Sequence, residues 1–131
     1  MKLLLDTHIW LWSLLEPRHL TDPVAAALRD ATNEMWLSPI STWELLVLTE
    51  KGRVVLDMEA TAWVRRVFRE VRFREAPLTH EVALRSLAMD LPHRDPADRF
   101  LGATASVYGL TLVTADDRLL GSKMYAVLPN R

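Results

Sequence analysis

The chain has 131 residues, half of them apolar and a quarter charged, with a formal net charge of −1. That length fits one domain spanning residues 1–131, and the composition excludes intrinsic disorder. With no cysteine, a disulfide scaffold, a cysteine zinc site, an iron–sulfur cluster and a cysteine nucleophile are all excluded. No apolar run approaches a membrane span, and Asp6 interrupts the apolar start too early for a secretory signal, so a cytoplasmic, unprocessed protein is expected. A near-neutral charge gives no global attraction for nucleic acid, so any such contact has to be local or pass through metal ions.

In chain order, residues 2–5 read as a buried strand ended by Asp6, and residues 8–15 as a short apolar helix stopped at Glu16-Pro17. Asp22-Pro23 opens a helix to about residue 31, with Asp as cap and Pro in the first turn. Residues 34–38 form a second strand, and residues 41–50 a helix closed by Lys51-Gly52. Asp57 caps a helix reaching about residue 70, residues 71–76 form a strand, and residues 79–89 a further helix. Asp95-Pro96 opens a helix that Gly109 stops after Tyr108; strands at 110–114 and 126–128 follow. Strands alternating with helices predict an α/β fold around a mostly parallel sheet, with some connections made by helical pairs.

Four acids stand out by position. Asp6 ends the first strand, and Asp116 follows the strand at 110–114. Glu44 and Asp98 are expected in the first turns of their helices. In an open parallel sheet, ligands bind in the crevice at the carboxyl ends of the strands, so acids distant in sequence can converge there. Helix capping explains each one singly: Ser41 and Glu44 fit a capping box, Asp98 lies three residues after the cap Asp95, and Asp6 and Asp116 each precede a helix. Capping and function are compatible, because a helix start after a parallel strand is also the active edge. Two carboxylates ~5 Å apart repel by roughly 3 kcal/mol at an effective dielectric of ~20. A cluster of four therefore raises some of its pKa values or binds a cation. Carboxylate and water ligands suit Mg²⁺ or Mn²⁺, which activate water and stabilise charge on phosphoryl oxygens.

Leu3-Leu4-Leu5-Asp6-Thr7-His8, Ile40-Ser41-Thr42-Trp43-Glu44-Leu45, Asp95-Pro96-Ala97-Asp98-Arg99 and Leu112-Val113-Thr114-Ala115-Asp116 occur in that order. Together they resemble the PIN-domain family, and within it the VapC-type toxins of type II toxin–antitoxin pairs. Ile9-Trp10-Leu11-Trp12 and Lys51-Gly52-Arg53-Val54-Val55-Leu56 extend the likeness over nearly the whole chain. The resemblance implies a three-layer α/β/α sandwich, an endoribonuclease dependent on Mg²⁺ or Mn²⁺, a homodimer, and inhibition by a VapB-like antitoxin. Asp6 and Asp98 resemble direct metal ligands, while Glu44 and Asp116 match acids acting through water or on a second ion. Thr7 and Thr114 match supporting hydroxyl positions, and Arg99 matches a commonly basic position beside the site. Asp117 is an alternative to Asp116 for the fourth acid, with Asp116 preferred in the Thr-x-Asp pattern. Ala97 stands where many of these toxins carry an aromatic residue.

Of the histidines, His8 and His93 lie near the proposed edge, and no pair of histidines has metal-ligand spacing. His93, Arg94 and Arg99 are the phosphate-contact candidates, by their place beside Asp98. Arg65, Arg69 and Arg72 share a helix face that reads as a solvated surface, with Trp63, Val67 and Val71 inward; holding RNA backbone is the alternative. Trp10, Trp36 and Trp43 are expected in the core, and Trp12 or Trp63 at an interface. Two competing functions are a noncatalytic interaction domain of the same fold and an Mg²⁺-dependent Asp phosphotransfer domain. The second lacks an Asp-x-Asp loop and a closing lysine.

Overall fold

The computed structural model describes residues 1–131. Leu3, Leu4 and Leu5 are fully buried, which makes β1 (Lys2–Leu5) the middle of the sheet rather than an edge. The sheet order is β3-β2-β1-β4-β5, and every pairing is parallel. β2 is Glu34–Leu37, β3 Arg74–Glu75, β4 Thr111–Thr114 and β5 Ala126–Pro129. The expected strand at 71–76 therefore forms at only two residues; Phe73 turns into the core instead.

Side chains alternate across a strand. Leu3, Leu5 and Val113 join Ile9, Trp10, Leu45, Trp63 and Val67 on one face of the sheet, while Leu4 and Leu112 join Leu101, Ala105 and Leu119 on the other. A sheet buried on both faces reads as continuous apolar runs, as β1 does. The first face is covered by α1 (Thr7–Leu15), α2 (Asp22–Arg29), α3 (Pro39–Glu50) and α4 (Ala60–Glu70). The second is covered by α6 (Pro96–Tyr108), backed by α5 (His80–Leu87) through Val82, Met89 and Ala103. α7 (Asp117–Leu120) is a single turn. These layers make the α/β/α sandwich.

Several boundaries move for local reasons. α3 starts at Pro39, not Ser41, because Ser38 caps it by accepting the Ile40 N–H, with Pro at the first position. Ser41 is therefore inside the helix, and Glu44 lies in the second turn, outside any capping box. α4 starts at Ala60 because the Glu59 carboxylate, rather than Asp57, accepts the Thr61 and Ala62 N–H groups. Asp95 caps α6 as expected, and Gly109, at φ 64, ends it in the left-handed region that favours glycine.

Trp10 is buried beside Trp63, with ring centroids 6.0 Å apart. Trp63 is thus a core residue and not an interface one. Trp43 is 55% exposed, against the expectation that it is core: it is in the same helix as the buried Leu45 but on another face. Arg65 and Arg69 are exposed while Trp63 and Val67 are buried, the pattern of a solvated amphipathic helix face; Arg72, also exposed, does not share that face, because α4 ends at Glu70. No helix is long and apolar enough to cross a membrane.

Candidate active site

In the order β3-β2-β1-β4-β5 the chain reverses direction of growth between β1 and β4, so the crevice of such a sheet opens at the carboxyl ends of these two strands. Asp6 follows β1 directly. Its Oδ1 accepts the Thr7 N–H at 2.7 Å, and its Oδ2 accepts the Thr114 hydroxyl, from the end of β4, at 2.6 Å. The Thr114 oxygen in turn accepts the Asp116 N–H at 3.0 Å. One buried hydroxyl thus ties together the ends of the two central strands and the first and fourth acids.

Glu44 enters from α3. The Thr7 hydroxyl donates to its Oε1 at 2.6 Å and lies 3.0 Å from the buried Ser41 Oγ. A hydroxyl has one proton, and the shorter contact to the carboxylate takes it. Since Glu44 is not in the first turn of α3, helix capping does not account for an acid here.

Asp98 enters from the first turn of α6, buried like Asp6. Its Oδ2 lies 2.7 Å from His93 Nε2. His93 Nδ1 is buried without a partner, so Nε2 is the ring nitrogen that meets Asp98. Asp116 caps α7 by accepting the Arg118 N–H, and the Arg118 guanidinium grips both its oxygens, at 3.2 Å from Nε and 3.0 Å from Nη2. The same Nη2 is 3.6 Å from Asp98 Oδ2. Asp117, by contrast, is exposed and paired with Arg131.

The electrostatics follow from these partners. Burial pushes the Asp6 carboxyl up; Thr114 opposes this and the charge on Asp98 adds to it. Burial likewise raises Glu44, to about 7, against the Thr7 hydrogen bond and with the help of Asp6 and Asp98. Asp98 is raised by burial and by Asp95 and Asp116, and His93 partly offsets this. Asp116 alone is lowered, chiefly by its bond to Arg118. Three acids are therefore held above the ordinary carboxylate range by burial and by neighbouring carboxylates, so a cation that compensated them would favour their charged form, and the side chains they present are oxygen donors.

That donor set suits a small hard cation such as Mg²⁺ or Mn²⁺. No three His, Asp or Glu side chains form a ready-made cage for an ion. Magnesium keeps several waters and takes one or two carboxylates, so it needs no such cage, and Asp6 and Asp98 are the two buried carboxylates of the cluster.

Not every expected residue joins the cluster. Arg99 donates from Nη1 to the His93 carbonyl at 3.5 Å, and Arg94 is exposed. Both line a shallow concavity of about 210 Å³ with Ser86, Leu87 and Phe100, and neither forms an ion pair with the acids. His8 is exposed, and its charge slightly lowers Asp6. Arg118, which sequence reasoning passed over, is the basic residue that reaches the acids. Its one signal is its place two residues after Asp116.

A family model described as the PIN domain matches residues 3–121. Ribonuclease VapC22 of Mycobacterium tuberculosis (strain ATCC 25618 / H37Rv) is 35% identical over 117 residues, spanning 88% of either chain. Among solved structures, VapBC2 from Rickettsia felis bound to a DNA fragment from their promoter superposes with a TM-score of 0.71 at 13% identity, covering 98% of each chain. A toxin–antitoxin complex from Klebsiella pneumoniae gives 0.70 at 21% identity, covering 98% of this chain and 97% of that one. At such low identities these two establish the shared fold.

Proposed function

From the premise that this chain belongs to the PIN-domain family, among its VapC-type members, we propose that it is a metal-dependent endoribonuclease, the toxin of a VapBC-type pair. The reading takes residues 1–131 as one PIN domain acting in the cytoplasm. The observation that carries it is the convergence of Asp6, Glu44 and Asp98 from three separate elements, two of them tied to the start of α1 and the end of β4 by the hydroxyls of Thr7 and Thr114, and close enough that Asp98 raises Asp6 and both raise Glu44.

Asp6 and Asp98 would hold Mg²⁺ or Mn²⁺ directly, with Glu44 and Asp116 acting through water or on a second ion. When bound, such a cation neutralises charge on the phosphoryl oxygens and eases deprotonation of a water. The remaining work falls to the chain itself. Thr114 and the Thr7 N–H fix both oxygens of Asp6, so its rotamer is set before RNA arrives. The Thr7 hydroxyl orients Glu44, and His93 orients Asp98. Arg94 and Arg99 remain candidates for RNA phosphates entering along α6 rather than for contacts at the acids.

The likeness to Ribonuclease VapC22 supports cleavage of RNA, and the VapBC and toxin–antitoxin complexes among the structural neighbours support a VapB-like antitoxin as partner. A groove of about 560 Å³ between the end of α3 and the start of α4, where Leu46, Val55 and Met58 meet Thr49, Glu50 and Glu59, offers a seat of mixed polarity apart from the acids. The homodimer belongs to this reading through the family likeness alone.

Cleavage of total RNA with and without Mg²⁺ or Mn²⁺, by wild type beside Asp6→Asn and each freed of any co-purifying partner, tests the proposal. Metal-dependent cutting by wild type alone is expected. Equal cutting by the variant would remove Asp6 from the mechanism, and a wild type that neither cuts RNA nor binds a divalent ion would leave a noncatalytic scaffold.

A further inference from the structure

Arg118 lies among the acids where a cation is called for. Its guanidinium makes two hydrogen bonds to Asp116, and Nη2 also reaches Asp98 Oδ2 at 3.6 Å. Its side chain is 54% exposed, so ion pairs rather than packing hold it there. The neighbouring acid gives it no alternative, because Asp117 is taken by Arg131. The planar fork of a guanidinium spans two carboxylates in a way that a lysine ammonium does not.

We propose that Arg118 is a built-in competitor of the divalent cation: it bridges Asp98 and Asp116, and it has to release Asp98 Oδ2 and the Asp116 oxygens before a cation can use them. The inference rests on the reading of these acids as a divalent-cation site. Its physical basis is competition for shared acceptors. Both Asp116 oxygens are hydrogen-bonded by a charged donor that also pairs with Asp98 Oδ2 at 3.6 Å, an oxygen that His93 Nε2 meets at 2.7 Å, whereas Asp6 and Glu44 are held by the neutral donors Thr7 and Thr114. Cation entry on the Asp116 side is therefore an exchange of one positive charge for another. On the Asp6 side it is an addition.

Direct titration of the full-length protein with Mn²⁺ alone, without RNA, tests this by calorimetry and by the electron paramagnetic resonance signal of free Mn²⁺. Arg118→Met is expected to bind Mn²⁺ roughly three- to tenfold more tightly than wild type, the scale of a partly exposed bidentate ion pair. Arg118→Lys, which keeps the charge but loses the fork, is expected to fall between them. In wild type, saturating Mg²⁺ is expected to move the Arg118 Nε–H resonance towards that of a free arginine, a readout that needs no variant to fold. Equal affinity of all three proteins, or an unmoved Nε–H resonance, overturns the competition and leaves the metal site standing. A lysine variant matching wild type overturns it too, since charge alone would then be acting. Absence of Mn²⁺ binding by every protein overturns both the competition and the metal site.

Discussion

Asp6 and Asp116 belong to one crevice, yet they are held in opposite ways. Asp6 is buried, and its oxygens are filled by a backbone N–H and a threonine hydroxyl, neutral donors that orient a carboxylate without cancelling its charge. Asp116 is more exposed and is gripped by a guanidinium, which cancels its charge and lowers its pKa while Asp6 is raised. The inner half of the cluster is thus oriented but uncompensated, and the outer half is compensated. Burial decides the difference: a neutral donor fits inside the β1–β4 seam, whereas an arginine needs the open side.

Breaking the inner half should have the largest effect. Asp6→Asn is expected to lower RNA cleavage by about a hundredfold or more, the scale of losing one electrostatic contact to a reacting centre, as read by initial rates at saturating Mn²⁺; Asp98→Asn, at the buried acid between the two halves that Arg118 only approaches at 3.6 Å, is expected to match it. Breaking the outer half should cost less: Asp116→Asn is expected to reduce the same rate by about tenfold, because Arg118 already offsets that charge. An Asp116→Asn loss equal to that of Asp6→Asn would erase the distinction between the halves.

Thr114→Val keeps the shape of a fully buried side chain but removes the hydroxyl shared by Asp6 and the Asp116 N–H. Leaving these groups unpaired is expected to cost about 1–3 kcal/mol in urea unfolding, with Thr114→Ser close to wild type. The smallest effect is on pH dependence. The Glu44 pKa of about 7 lies above the ordinary carboxylate value, so the folded state binds its proton more tightly than the unfolded chain does. That contribution to stability is fully present below about pH 4.5 and is lost as pH rises through about 7. Without added divalent ions, the melting temperature of wild type is expected to fall across this window more steeply than that of Glu44→Gln.

What the sequence discloses follows the same division. Asp6 and Asp116 are legible because strand ends in a parallel sheet define one edge, and a short apolar run ending in an acid marks that edge, whereas Thr7 and Thr114 are legible only through the family likeness. The position of Glu44 in its helix was misread because Ser38-Pro39, a cap followed by a first-turn proline, starts the helix earlier than Ser41 does. Arg99 is adjacent to Asp98 in sequence but about 100° round the helix from it, which turns it to the His93 loop instead of the acids. Trp43 is buried by its neighbours on paper, since local apolarity does not say which helix face meets the sheet. Arg118 reaches Asp98 through space across two elements, a contact that no spacing along the chain encodes.

The sheet ends on one side in β3, whose two residues Arg74 and Glu75 are both charged and exposed, and on the other in a four-residue strand closing at Pro129, which has no N–H to offer. Such borders resist extension by a foreign strand, because a short, charged or proline-capped margin gives an incoming backbone too few groups to zip onto. Edge-to-edge stacking of copies is disfavoured for the same reason, and the surfaces left open to a protein contact are the helical faces.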